Sequence, residues 1–362
     1  MNIVKASRLY EQWLTLYTPL NKSDLDHKHR EMASAPFPFF RSTFYRWAQT
    51  WPNVCKELAA APGVMSVGDL HVENFGTWRD SEGRLIWGIN DFDEAALLPY
   101  TLDLVRLATS AYLAIESNHL SLSCADASEA ILNGYTEAIQ SKGGAFVLAE
   151  SHQWLRETAA SRLRNPVPYW QKLDALPKLK RKDVPESAAV AIEHLLPQAD
   201  LAYTVRHRLA GLGSLGHPRY LALADWKGGK IAREAKALVP SAAVWAHKRS
   251  GPVEIFYQAI VDRAVRCRDP YVQLQGHWVV RRLAPDCSRV ELEALAAERP
   301  EGRLLHAMGW ETANVHLGTK TAARAVQEDL KGRDKRWLHT AAEAMVQSTR
   351  EDWATWKERS GS

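Results

Sequence analysis

Hydrophobic positions recur along the chain in two rhythms. Over residues 42–61 the apolar Phe44, Trp47, Val54 and Leu58 follow the spacing of one helix face, with Pro52 starting a new turn or a kink. Residues 102–115 are apolar almost all round and rich in helix formers, which predicts a buried helix with Asp103 at its start. Residues 125–163 read as two helices broken at Gly143-Gly144, residues 164–185 as a connector bearing Pro and Lys, and residues 253–266 and 290–362 as mostly helical again. The second rhythm is short and β-prone. It predicts strands at 64–67 and 84–89, then at 201–209, 220–223, 231–238 and 278–283, with Lys227-Gly-Gly-Lys230 as a turn in a small antiparallel meander.

A length of 362 residues suits one large or two ordinary domains and permits an enzyme with a cleft. Lys and Arg total 46 against 42 for Asp and Glu, and the resulting net charge of +4 provides no broad attraction to nucleic acid or to an anionic membrane. Cys55, Cys124, Cys267 and Cys287 are scattered without a C-x-x-C pair, which fits a reduced, cytoplasmic protein. The amino-terminal residues lack the apolar core of a signal peptide, and no apolar run is long enough to span a bilayer, so no membrane partner is expected.

The chemistry concentrates in GDLHVENFG at 68–76 and NDFDEA at 90–95, each delivered by a predicted strand. Phosphoryl transfer needs a carboxylate that orients and deprotonates an attacking hydroxyl, together with oxygen ligands that hold magnesium against the phosphates. Asp69 and Asn74 stand in the spacing D-x-x-x-x-N, and Asp91 follows the next strand. Gly-Asp and Asn-Asp pairs are also ordinary turn chemistry. A metallophosphatase can likewise begin with Gly-Asp-x-His, but the further His- and Asn-rich boxes it needs are missing downstream.

With these residues the chain resembles the aminoglycoside phosphotransferase and choline kinase branch of the protein-kinase-like superfamily, which carries G-D-x-H-x-x-N followed by D-[FW]-x-x. The resemblance implies Asp69 as catalytic base and Asn74 and Asp91 as magnesium ligands. Asp103 then supports the backbone of the loop, and His71 buttresses it. Asp93 is either a further metal ligand or a brace for Arg106. Arg41 either helps to bind substrate or phosphate or pairs with a carboxylate.

A second motif, G-x-G-x-x-G at Gly211, Gly213 and Gly216 with Ser214 inside it, lies between two predicted strands. That context favours a kinase-type phosphate lid over a dinucleotide fold, which needs a helix after the motif. Some twenty residues on, Arg233-Glu-Ala-Lys236 falls where the third strand of such a lobe supplies a cation to the phosphates. Pleating places Arg233 and Lys236 on opposite faces, so only one can serve; Arg233 is favoured, with Glu254 in the following helix as its acidic partner. The lobe follows the catalytic loop instead of preceding it, which implies a circular permutation.

The arrangement resembles the bacterial domain-of-unknown-function family 2252. The likeness is carried by REMASAPFPFFR at 30–41, the two acidic segments, AGLGSLG at 210–216, REA at 233–235 and VRRL at 280–283; the family usually reads Lys-Glu-Ala where Arg233-Glu-Ala stands. The expected fold is α+β: a protein-kinase-like, two-lobed and circularly permuted molecule with a predominantly helical large lobe and a small antiparallel-sheet lobe. Residues 1–198 would form the catalytic lobe, 199–285 the glycine-loop lobe, and 286–362 helices returning to the first. The expected activity is an ATP- and magnesium-dependent phosphotransferase acting on a small-molecule hydroxyl. AMP transfer and a nucleotide-binding pseudokinase are its alternatives. Trp310, Trp337, Trp353 and Trp356 read as core packing more readily than as a substrate pocket.

Overall fold

Four helices open the chain: α1 (Ile3–Leu14), α2 (Lys22–Ser34), α3 (Pro36–Ser42) and α4 (Phe44–Val54). Asn2 and Asn21 cap the first two by accepting from backbone amides of the first turn, and Pro36 starts the third, where a missing N–H costs nothing. Pro52 sits in the last turn of α4. Strands β1 (Gly63–Ser66), β2 (Phe75–Arg79), β3 (Leu85–Ile89) and β4 (Ala96–Pro99) then lead into α5 (Tyr100–Glu116). Nearly every residue of α5 is buried, as its all-round apolar pattern requires. The computed structural model describes residues 1–148, 152–160, 165–248, 254–287 and 301–360.

The middle of the chain holds α6 (Cys124–Ser141), β5 (Phe146–Val147), α7 (Gln153–Ala160), α8 (Pro166–Asp174), β6 (Lys178–Leu179) and α9 (Glu186–Glu193). The expected connector at 164–185 therefore contains a helix. Asn165 caps it by accepting from the Val167 amide at 3.0 Å, and Pro166 at the first position presets its backbone. Next come β7 (Thr204–His207), β8 (Arg219–Trp226), β9 (Gly229–Ala237), α10 (Ala242–Ala246), α11 (Tyr257–Arg263), β10 (Gln273–Gln275) and β11 (Trp278–Leu283). The chain ends with α12 (Glu301–His316), α13 (Ala323–Gly332) and α14 (Trp337–Ser360). Of the helical expectations, residues 149–151, 161–163, 253, 290–300 and 361–362 lie outside the described residues.

The protein is a mixed α+β fold whose sheets are all antiparallel. β1 pairs with β4, β2-β3-β5 form a second sheet, and six strands in the order β10-β11-β9-β8-β7-β6 form the largest. In that sheet β8 and β9 meet in a hairpin with Trp226 opposite Gly229. α9 covers one face through Ala188, Ala189 and Ile192 against Ala222, Ala235 and Val280, while Tyr169 and Leu173 of α8 pack against Leu221 and Leu223. The sheet unit thus draws in residues before the expected boundary at 198/199. Burying the sheet needs helices on its faces, and the chain supplies them from α8 and α9.

The main core joins the opening helices to α5, α6 and the carboxyl-terminal helices, and Trp337 and Trp356 are buried in it. α6 and α12 cross with their backbones nearly touching. A Cβ on Gly134 would collide with the His306 carbonyl, and one on Gly309 with the Ile131 carbonyl. Gly309→Ala is therefore expected to lower unfolding free energy by about 3 kcal/mol in urea titrations. Helix propensity alone would instead raise it by about 1 kcal/mol, so a stabilised variant would contradict the close crossing. Among the described residues no helix is long and apolar enough to cross a membrane, and no disulfide joins the four cysteines.

Candidate functional site

The loop between β1 and β2 is built around Asp103. Its carboxylate accepts from the Val67 amide at 2.7 Å and the Gly68 amide at 2.9 Å, while His316 on α12 bonds the same group at 2.9 Å. Gly68 takes φ +81°, and a Cβ there would strike the Glu94 carbonyl, so only glycine lets the loop pass under the acidic segment. His71 and Asn74 close a reciprocal cap: the His71 amide donates to Asn74 Oδ1 at 2.7 Å, and the Glu73 amide donates to His71 Nδ1 at 3.2 Å. These bonds hold Asp69 at the mouth of the loop.

Asp69 Oδ1 receives two bonds from Arg106 on α5, one of them from Nε at 2.9 Å. The Arg106 guanidinium is fully buried and lies over the rings of Phe40 (4.0 Å), Trp47 and Phe44. Burial pushes the Asp69 carboxyl up from its ordinary value, against the opposing pull of Arg106. Its second oxygen, Oδ2, faces Gly213, where an added Cβ would lie 3.2 Å from it. One oxygen is therefore held and the other turned to the glycine loop. The Arg106 bridge goes to Asp69, not to Asp93. Arg41 pairs with Glu73, and its carbonyl also abuts Gly213.

Asp91 and Asp93 follow β3 and converge on Lys236 of β9. The Lys236 ammonium binds Asp93 Oδ2 and lies 3.6 Å from Asp91 Oδ1. Cleft burial raises the Asp91 carboxyl, but Lys236, Arg281 and Arg219 outweigh it and hold the group well below the usual carboxylate range. Asp93 goes the other way, pushed up to about 6 by burial and by neighbouring Asp91. Asp93 Oδ1 is buried without a hydrogen-bond partner. Among the described residues no three His, Cys, Asp or Glu side chains group into a metal cage. Two carboxylates, one with an orphaned oxygen, and the Asn74 amide match the sparse protein ligation of magnesium, which takes its other ligands from water and phosphate.

Lys236, not Arg233, faces this cleft. Arg233 lies on the opposite face of β9, donating to the Leu195 and Ala232 carbonyls at 2.9 Å with its guanidinium 4.5 Å from the Tyr271 ring. The face carrying Ala235 and Ala237 must bury against α9, which turns Glu234 and Lys236 toward the acidic segment. Glu254 is exposed and precedes α11 outside any helix. The carboxylates that meet the β9 cation are Asp93 and Asp91.

The glycine segment folds as consecutive turns, not an open lid: the Ser214, Leu215 and His217 amides donate to Gly211, Leu212 and Ser214 carbonyls. Lys28 of α2 pins it by donating to the Gly213 carbonyl at 2.8 Å, and Arg219 donates to Ser214 Oγ at 3.0 Å. The Asn21 amide donates to the Gly216 carbonyl at 2.8 Å. Lys28 left no trace in the sequence, since one Lys on a polar helix looks like solvent surface. Arg106 did leave one, as a cation inside an otherwise apolar helix.

Asp69, Asn74, Asp91, Asp93 and Gly211 to Ser214 line one small cleft together with His217. Burial, then the charges of Lys28, Lys236 and Arg219, push His217 down to about 3. An unfolded imidazole takes its proton near pH 6.5, the folded one only near 3, so this contribution is complete above about 6.5 and is lost as pH falls toward 3. Urea midpoints of the wild type are expected to drop over that window more steeply than those of His217→Gln; parallel curves would remove His217 from the account.

A larger cavity of about 280 Å³ adjoins the cleft across Asn90, Asp91 and Gly211. Its sheet wall is charged. Buried Glu234 accepts from Arg208 at 2.5 Å, Arg219 at 2.8 Å and Arg281 at 2.9 Å, which hold its carboxyl far below the usual range despite burial.

Residues 21–166 match a family described as uncharacterized protein conserved in bacteria (DUF2252), which supports that family for the segment carrying Asp69, Asn74, Asp91 and Asp93. No curated protein and no solved structure matches the chain.

Proposed function

We propose that the protein is an ATP- and magnesium-dependent phosphotransferase of circularly permuted, protein-kinase-like type that phosphorylates a hydroxyl of a small molecule. One observation carries the reading: Asp69, the Asp91–Asp93 pair and the glycine loop, drawn from separate parts of the chain, share one cleft, and a strand cation, Lys236, is bonded to its acidic pair. The glycine loop joins the first two strands of the β7-β8-β9 run and Lys236 lies on the third, the order a kinase-type phosphate lobe requires, but placed after the acidic centre.

In this reading Asp69 Oδ2 accepts the proton of the acceptor hydroxyl while Arg106 fixes the carboxylate through Oδ1. Asn74, Asp91 and Asp93 would hold magnesium, which neutralises phosphate charge when bound. Lys236 supplies a fixed cation beside the phosphates, and Asp103 keeps the loop in place through the Val67 and Gly68 amides.

AMP transfer is the second reading, favoured by the arginine-lined cavity, which can take the terminal phosphates of a nucleotide bound the other way round. Incubation of the pure protein with magnesium and ATP labelled separately on the α and γ phosphates tests both. Transfer of γ label to an acceptor is the expected result. Transfer of α label instead would establish nucleotide transfer, and saturable nucleotide binding with neither label moved would leave a pseudokinase.

A further inference from the structure

The cavity beside Asp91 is larger than the cleft that holds the acidic centre, and its charge is of the opposite sign. Six arginines line it: Arg208, Arg219, Arg266, Arg268, Arg281 and Arg282. Two carboxylates, Asp91 and Asp269, share the lining. Some of this charge is already answered. Arg208, Arg219 and Arg281 converge on one carboxylate, Glu234, Arg268 pairs with Asp262 at 2.6 Å, and Arg282 lies 3.9 Å from Asp269. Three guanidiniums set against Glu234 and, less directly, Asp91 leave a net positive charge at the cavity wall.

Arg266 adds an independent observation. Its side chain is 8 % exposed, and its guanidinium lies 4.5 Å from the Trp78 ring and 5.1 Å from the Phe92 ring. One arm donates to the Ile89 carbonyl at 2.7 Å, but Nη1 is buried without a hydrogen-bond partner and is 4.0 Å from Glu311. A buried guanidinium N–H with no acceptor is costly, and the Glu311 carboxylate at 4.0 Å offsets part of that cost while fixing Arg266 at the cavity wall. Guanidiniums present planar forks that match phosphate oxygens, and an apolar ring would leave most of these donors unanswered.

We infer that this cavity is a binding pocket for a phosphate-class polyanion, held by Arg208, Arg219, Arg266 and Arg281 next to the Asp91 centre. The inference stands apart from the direction of transfer in the proposed reaction and from the reaction itself. The anion comes either from the terminal phosphates of the nucleotide or from a separate acceptor that already bears a phosphate.

Calorimetry with inorganic tripolyphosphate on the full chain, without magnesium, tests it. Binding at one site is expected, weakened roughly 10- to 100-fold in Arg208→Gln, because a hydrogen bond to a charged group is lost. Asp269→Asn keeps the acceptor for the Tyr271 amide but removes a lining negative charge, so it is expected to tighten binding, an outcome that misfolding cannot mimic. Loss of tripolyphosphate binding when the protein is saturated with magnesium-ATP identifies the nucleotide's own phosphates as the occupant. Persistence of that binding identifies a phosphate-bearing acceptor. No magnesium-independent binding in the wild type, or equal affinity in wild type and both variants, would overturn the pocket. Failure of label transfer from ATP, with tripolyphosphate still bound, would instead count against the phosphotransferase alone.

Discussion

Asp69→Asn is expected to lower turnover about 10²- to 10⁴-fold while magnesium-ATP affinity changes little, because the substitution removes the proton acceptor and leaves the metal and phosphate ligands in place. The structure adds a cost that must be separated from catalysis. Arg106 is fully buried and loses the negative charge it faces, and breaking a buried ion pair typically costs about 3–5 kcal/mol. The rings of Phe40, Phe44 and Trp47 around the guanidinium soften that penalty. Turnover is therefore to be expressed per nucleotide-binding site, with thermal unfolding followed in parallel. A purely structural role predicts lower stability but normal turnover per binding site, and that combination would reject Asp69 as the base.

Lys236→Met should produce the second large effect, a fall in turnover of about 10²- to 10³-fold, the scale seen when one preorganised charge is taken from a transition state. It also leaves Asp93 buried beside Asp91 without the cation bonded to it, so stability should fall; adding Asp93→Asn removes the stranded charge and should restore stability without restoring turnover. Arg233→Met is the contrast. Arg233 bonds backbone carbonyls on the far face of the sheet, so its loss should reduce stability and spare nucleotide affinity. Kinetics and calorimetry on the three variants decide the matter, and a larger catalytic loss in Arg233→Met than in Lys236→Met would reverse the assignment of the strand cation.

The choice between these two cations shows where sequence reasoning stops. Alternation in β9 placed Arg233 and Lys236 on opposite faces, and that relation holds. Which face turned inward depended on what covers the sheet. A signal was present: Ala235 and Ala237 share the Arg233 face and are small enough to receive a packed helix, whereas the other face carries Glu234 and Lys236. The helix that covers them, α9, comes from the stretch just after the segment read as a connector, so its docking could not be inferred from β9 alone. Glu254 failed for a related reason. A helix starting before Tyr257 was the basis for pairing it with the strand, and the residue lies exposed ahead of that helix.

What the sequence determined by itself are the features written into adjacent residues: the buried α5, the alternation of the β7-β8-β9 strands, the turn between β8 and β9, and the D-x-x-x-x-N loop. Backbone sterics and helix or strand periodicity act over a few residues, so a local pattern suffices to specify them. Tertiary structure alone decided that Lys28 holds the glycine loop from 185 positions away and that Lys236 meets Asp93 across 143. It also decided that Arg106 bonds Asp69 and that Glu234 gathers three arginines. Such pairs form because burying a charge without a partner costs several kcal/mol, and which partner is within reach is set by how helices and sheet pack, not by spacing along the chain.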